Sequence, residues 1–352
     1  SSFKKHEIEK LSTQIFAKIL SEVDLRRTDD ELCKNIIDEF NNKFKSEVCS
    51  FNKASYLTLG CHLLEGDVNY PIKIGPVVFE RREQWLTRLR EEGHISPIAE
   101  RRVKNTWLGK KYKPRKLSKD SIFENGIIDT LGTRPITCTI ETRNLSSIYI
   151  EEKGLLAARL AITALSLMWH LPSRALEFMR LTYDKNLHHQ HSIIYDSDRD
   201  KINILQPFHP RCGYRANETI KEIIKSYRLI FDQIGIALFN YVQPTIETSH
   251  KLYSINHLFL SLWWFHEACR EPSDQIATTK FAASMDSLTG GKQANGIIEF
   301  IEEHVGFKRK DPFTKDGSTI QQIIDNIYNK KRSQFIHGSS KNFNQDWSES
   351  RT

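Results

Sequence analysis

The sequence predicts an α+β chain in two parts, a mixed α/β regulatory or sensing region over residues 1–210 and an all-helical bundle over 216–352. Three observations predict it. Before residue 210, stretches with apolar residues at helical spacing alternate with stretches of period-two patterning. After Arg215 the strand pattern stops and apolar residues recur only every three or four positions. The chain of 352 residues is 39% hydrophobic and 27% charged, enough apolar material for a sizeable core in a chain of two-domain length.

Taken in order, Ile8, Leu11, Ile15, Ile19 and Val23 mark one amphipathic helix, and Ile36, Ile37, Phe40 and Phe44 a second after Thr28-Asp29-Asp30. SYLTLGCHLL from Ser55 and PIKIGPVVF from Pro71 read as strands, separated by Gly66-Asp67. EQWLTRLREEG is a short helix ending at Gly93. Ile136, Cys138 and Ile140 alternate in a further strand. Glu151 to Leu171, with Leu155, Leu156, Leu160, Leu165, Leu167 and Trp169, is strongly apolar, too long for a strand, and reads as a buried helix. LHHQHSIIY, DSDRD and KINILQPF spell a strand, a polar turn and a strand.

The bundle begins with Ile220, Ile223, Ile224, Tyr227, Phe231, Ile234 and Leu238, a helix from near Asn217 that stops before Pro244. A second runs from Thr245 to Arg270 through LFLSLWWFHEACR. Pro272-Ser273 breaks it, Asp274 caps a third containing TTKFAASMDSL, and GIIEFIEEHVG is a fourth. The last helix turns Ile320, Ile323, Ile324, Ile327 and Tyr328 to the core. Asp316 or Ser318 is expected at its cap and Gly338 at its end. Lys330, Lys331, Arg332 and His337 suit the negative end of its dipole.

The net charge of +7 permits a polyanionic partner without demanding one. Residues 101–119, RRVKNTWLGKKYKPRKLSK, carry no acid and interleave Trp107 and Tyr112 among cations. Lys110, Lys111, Lys113, Arg115 and Lys116 are the candidate RNA contacts there, joined by Lys331 at the last helix; a solvated loop has the same composition. Six scattered cysteines without CxxC spacing predict reduced thiols and a cytoplasmic setting. No apolar run has the length of a membrane span. His189 and His191 would share one side of a strand beside His188, with His209 or Cys212 as a third ligand. Nothing fixes that third ligand, so no metal site and no cofactor are expected.

Arg332 and His337 lie five steps apart, about 140° around a helix turning about 100° per residue. One ideal helix does not aim both at one atom, whereas two copies meeting across a two-fold axis put two Arg/His pairs in one cleft. Those residue types suit cleavage of RNA without a metal. The nucleophile is the substrate's own 2′-hydroxyl, histidine moves the protons, and arginine holds the phosphate. Ser333 could bond the phosphate or orient the histidine. A non-catalytic RNA-binding protein and a dimerisation module for a partner protein stay open as alternatives.

Ile327-Tyr328-Asn329-Lys330-Lys331-Arg332-Ser333-Gln334-Phe335-Ile336-His337-Gly338 resembles the signature of HEPN domains, in particular the ApeA-like branch. LSLWWFHEA resembles that branch's tryptophan-containing helix, and ASMDSL its Ala-Leu-Glu-x-Leu helix, with Asp286 in place of the usual glutamate. Glu267 is the other acidic candidate. The likeness covers about residues 216–345. It implies a HEPN-like helical bundle and a homodimeric, metal-independent endoribonuclease that leaves a 2′,3′-cyclic phosphate. Its substrate would be RNA, tRNA among the candidates, in antiviral defence, abortive infection or a toxin system, with a regulatory partner protein in view. His337 would be general acid/base, Arg332 the phosphate ligand, Ser333 an assistant, and Asp286 the residue orienting Arg332 or His337.

Overall fold

The structure, a computed structural model, describes residues 5–22, 30–50, 54–63, 70–110, 116, 118–169, 172–184, 192–196, 199–205, 222, 224–244, 252–271 and 273–333. It is mixed α and β. The two expected amphipathic helices are α1 (Lys5–Glu22) and α2 (Asp30–Ser50), and they pair, with Leu11, Ile15 and Ile19 packed against Ile36, Phe40 and Phe44.

Strands β1 (Ser55–His62), β2 (Ile72–Ile74), β3 (Val77–Arg81), β4 (Ile136–Thr142) and β5 (Arg180–Leu181) form one antiparallel sheet in the order β2-β3-β4-β1-β5. The register sets Leu59 opposite Cys138 and Cys61 opposite Ile136. Side chains alternate across a strand, so Leu59, Cys61, Phe79, Cys138 and Ile140 share one apolar face. The predicted apolar helix, α6 (Ser147–Ser166), covers it, with Leu160, Ile162 and Leu165 fully buried.

The other face shows Thr58, Gly60 and His62 of β1 beside Thr137 and Thr139 of β4. Helices α3 (Arg82–Glu91), α4 (Pro97–Trp107) and α5 (Lys119–Leu131) build a separate cluster here from Trp85, Leu86, Ile95, Ala99, Val103, Ile127 and Leu131. The basic segment 101–119 is therefore not a loop throughout. Its first seven residues, 101–107, are the end of α4. The Ser96 hydroxyl caps that helix by accepting from Ala99 N at 3.2 Å, Pro97 opens it, and Ala99 and Val103 at i,i+4 bury one side. Helix α5, which the apolar pattern does not announce, starts at a capping box between Ser118 and Ser121.

After α7 (Pro172–Phe178) come β5 and then a hairpin of β6 (Ser192–Asp196) and β7 (Arg199–Leu205), in line with the strand, turn and strand expected there. Next are α8 (Arg228–Val242), α9 (Leu252–Cys269), α10 (Asp274–Leu288), α11 (Gln293–His304) and α12 (Ile320–Ile324). The expected starts at Asn217 and Thr245 and the stop at Gly338 lie outside the described residues. Two expected caps are corrected. Ser273 precedes α10 and Asp274 is its first residue, where its charge favours the positive helix end. Thr319 caps α12 in a capping box with Gln322, while Ser318 and Asp316 bond each other at 2.8 Å.

Helices α8 and α9 do not pack apart from the sheet. Phe231, Ile234, Leu238, Phe259 and Leu262 share one apolar core with β1, β3, β4 and α6. Arg143 N donates to Val242 O at 3.2 Å, and Gln243 Nε2 to Glu141 O at 3.1 Å. The β2–β3 turn and α8 meet backbone to backbone. Gly75 has φ of 56°, and a Cβ placed on Gly235 would lie 2.7 Å from Gly75 N. No helix among the described residues is long and apolar enough to cross a membrane.

The contact between α6 and α9 also buries His266, 1% exposed. The Thr163 hydroxyl donates to Arg159 O at 2.8 Å, so it accepts from His266 Nδ1 at 3.1 Å. That fixes the neutral Nδ1–H tautomer and leaves Nε2 buried without a partner among the described residues. Burial is the main cause that pushes this imidazole down to about 4 from an ordinary 6.5. Between those values the unfolded chain takes up a proton that the folded chain refuses, so stability falls as pH falls from 6.5 towards 4. The expected slope is at most about 1.4 kcal/mol per pH unit. Urea denaturation at pH 6.5 and 5 should show it, and it should shrink in His266→Gln.

Candidate functional site

The last helix departs from the sequence expectation. It is α-helical over Ile320–Ile324 and then π-helical over Asp325–Arg332, not one uninterrupted α-helix. The buried residues Ile320, Ile324 and Tyr328 recur every four positions. In an α-helix each such step drifts about 40° around the axis. A wider i→i+5 turn reverses that drift and keeps Tyr328 on the face begun by Ile320 and Ile324. All three join Ala282, Ala294, Ile297 and Ile298 in one cluster against α10 and α11.

This turn brings Tyr328 to Asp286, the acid expected at the site from sequence. The Tyr328 hydroxyl donates to Asp286 Oδ2 at 3.0 Å. The other oxygen, Oδ1, accepts from Gln293 N at 2.7 Å and so holds the start of α11. Four residues beyond Tyr328, the guanidinium carbon of Arg332 stands 4.6 Å from the centre of the tyrosine ring. Burial, and then the bond to Asp286, raise the pKa of Tyr328, while the charge of Arg332 opposes the rise. Asp286 and Arg332 therefore meet through Tyr328, and no ion pair joins them directly among the described residues.

Arg332 is half-buried, and its Nε is buried with no hydrogen-bond partner among the described residues. A buried guanidinium N–H without an acceptor costs about 1–3 kcal/mol. The charge is in part balanced by the electron-rich ring face beneath it. Ser333 follows it, half-buried, its N–H donating to Lys330 O. His337 lies outside the described residues.

Of the RNA-contact candidates, Lys110 and Lys116 are exposed and Lys331 is half-buried, while Lys111, Lys113 and Arg115 lie outside the described residues. Trp107 is not open for base stacking. It packs on the α3–α5 cluster, and the Arg82 guanidinium lies 4.4 Å over its ring. Tyr112 lies outside the described residues, as do His188, His189, His191, His209 and Cys212. Glu267 lies near Arg270, whose pKa burial lowers while the charges of Asp184 and then Glu267 oppose the fall, and Arg270 Nη1 donates to Leu176 O of α7 at 2.9 Å. Among the described residues no His, Cys, Asp and Glu come together as a metal-binding group.

Sequence reasoning missed the link role of Tyr328, although its i,i+4 spacing to Arg332 is the available signal. It also missed a groove of about 1290 Å³ between α3, α5 and the polar face of the sheet, lined by Tyr56, Thr58, Arg88, His94, Phe123 and Thr139 among others. No family model matches this chain, and neither a curated protein nor a solved structure does.

Proposed function

We propose that the chain is a metal-independent endoribonuclease of HEPN type, acting as a homodimer through its C-terminal helices. The observation that carries this reading is Arg332, half-buried on the ring of Tyr328 with its Nε lacking an acceptor among the described residues, in a sequence run that resembles the HEPN signature. In the reaction the 2′-oxygen forms a bond to phosphorus while the bond to the 5′-oxygen breaks. His337 of one copy takes the 2′-hydroxyl proton, a histidine donates a proton to the leaving 5′-oxygen, and the products are a 2′,3′-cyclic phosphate and a 5′-hydroxyl. Arg332 holds the non-bridging oxygens as their charge grows. Asp286 acts through Tyr328, which fixes the plane on which the guanidinium rests, and Ser333 assists at the phosphate. Lys110, Lys111, Lys113, Arg115, Lys116 and Lys331 supply further phosphate contacts. Cellular RNA and tRNA are the substrates to try, and a defence, abortive-infection or toxin setting fits such an activity.

The test is incubation of total RNA and tRNA with the full chain in excess EDTA, comparing parent and His337→Ala. Cleavage that ends in cyclic phosphate and disappears in the variant is expected. Equal cleavage by both proteins, or products ending in a 3′-hydroxyl, would overturn the assignment. Salt-sensitive binding without products would favour the RNA-binding alternative.

A further inference from the structure

A second concentration of unassigned chemistry lies between α11 and α12, in residues 305–319, VGFKRKDPFTKDGST. Its composition is that of a polar linker, yet it is folded. Glu302 near the end of α11 grips Arg309, Oε1 accepting from the backbone N at 2.8 Å and Oε2 from Nη2 at 3.1 Å. Asp311 Oδ2 accepts from Lys308 N at 3.1 Å, and Phe313 N donates to Ser318 O at 2.9 Å. Gln321 N, in the first turn of α12, donates to Arg309 O at 3.2 Å. The segment is thus fixed to itself and to both helices.

Two aromatic rings stand out from this scaffold. Phe307 is 42% exposed and Phe313 55%. They meet edge to face, with 5.3 Å between ring centres and 86° between planes. Each ring in such a pair keeps at least one face uncovered by the other. Neither belongs to an apolar cluster among the described residues, so both forgo most of the stabilisation that burial would bring. Lys308, Lys310 and Lys315 are interleaved with the rings in sequence, all exposed and in no ion pair among the described residues. The acids of the segment are occupied, Asp311 by Lys308 N and Asp316 by the Ser318 hydroxyl, which donates to it at 2.8 Å.

We propose that residues 305–319 bind single-stranded RNA, with bases stacking on Phe307 and Phe313 and with Lys308, Lys310 and Lys315 holding phosphates. This deepens the nuclease reading, from which it takes RNA as the nucleic acid. The cations decide against a protein partner, because the buried centre of a protein interface is depleted in lysine and three lysines flank these rings. A polyanion instead offers each of them a phosphate. The segment leads directly into the helical run that ends at Arg332. From Ile320 to Arg332 that run is at most about 18 Å long at about 1.5 Å per residue. Roughly five nucleotides at a stacked spacing of about 3.4 Å span it, so one strand can touch both.

The experiment uses the full chain in EDTA and a fluorescein-labelled 2′-O-methyl RNA oligonucleotide of about 12 nucleotides, which lacks the 2′-hydroxyl and resists cleavage. Fluorescence anisotropy should show the single strand bound more tightly than the same sequence in a duplex, because paired bases cannot stack on the rings. Phe307→Ala and Phe313→Ala should each weaken single-strand binding about five- to 100-fold. Phe313→Tyr, which keeps a ring, should not, and neither should Phe16→Ala, which removes an exposed phenylalanine of α1. Lys310→Gln should reduce the slope of log affinity against log salt by about 0.7. Amide hydrogen exchange of the parent should slow across 305–319 when the oligonucleotide is added, a readout that needs no variant. No slowing there, unchanged affinity in folded Phe307→Ala and Phe313→Ala, or a duplex bound as tightly as the single strand would overturn the proposal. Slowing at 305–319 without cleavage of natural RNA would remove the nuclease reading alone, and cleavage without slowing would remove this proposal alone.

Discussion

Arg332→Ala is expected to lower RNA cleavage by about 10²–10³-fold in kcat, the usual cost of losing one charge-stabilising donor at a transition state. The fold should survive, because Arg332 makes no ion pair among the described residues and rests on the ring of Tyr328. Arg332→Lys should recover little, since a point charge replaces the planar fork that rests on that ring. Tyr328→Phe separates positioning from chemistry. It keeps the ring beneath the guanidinium but removes the 3.0 Å bond to Asp286. A smaller fall is expected, about ten-fold, with a loss of about 1 kcal/mol in stability as the Asp286 carboxylate loses a donor. Single-turnover cleavage and urea denaturation on the same preparations check both. A fall in Arg332→Ala no larger than that of Lys331→Ala would reduce Arg332 to one cation among several.

Gly75→Ala is expected to cost about 3 kcal/mol or more. Two penalties add there. The left-handed φ of 56° is unfavourable for an alanine, and its Cβ would come within 2.7 Å of Gly235 Cα. The obstacle is helix backbone, which does not move aside as a side chain can. Gly93→Ala isolates the first penalty, because Gly93 has φ of 78° but nothing within 4 Å of where the added methyl would sit. Its expected cost is about 1–2 kcal/mol. Urea midpoints of the two variants should therefore differ clearly, and equal midpoints would show that the turn and α8 do not cross closely in solution.

Much of the secondary structure was legible because it rests on local pattern. The alternation of Ile136, Cys138 and Ile140 gave a strand, and the spacing of Leu11, Ile15 and Ile19 gave a helix, for reasons that need only neighbouring residues. Helix α5 was hidden because its sequence, KDSIFENGIIDTL, has a weak apolar stripe and leans on its cap and on α3 and α4. The π-turn was illegible for a different reason. Its residues fit an α-helix equally well, and the choice is made by Asp286 and the cluster around Ile297, far away in sequence. Position 286 was legible as an acid worth testing, but its partner was not, since a tyrosine at helical spacing reads first as core. The packing of Phe231 and Leu238 onto strands of the first part was likewise beyond any local pattern.

That shared core bears on how the chain is made. A ribosome delivers β1 to β4 and then α6 first, so one broad side of the sheet finds its cover early. The β2–β3 turn at Gly75 and its neighbours Ile74 and Val77 wait for α8, which is encoded far downstream. Contacts across such long stretches of chain form late, and the apolar surface they will cover is open to other chains until then. Slowing synthesis between the sheet and α8 should therefore lengthen the interval in which the nascent protein aggregates. A shortened chain that ends before Phe231 would remain in that state.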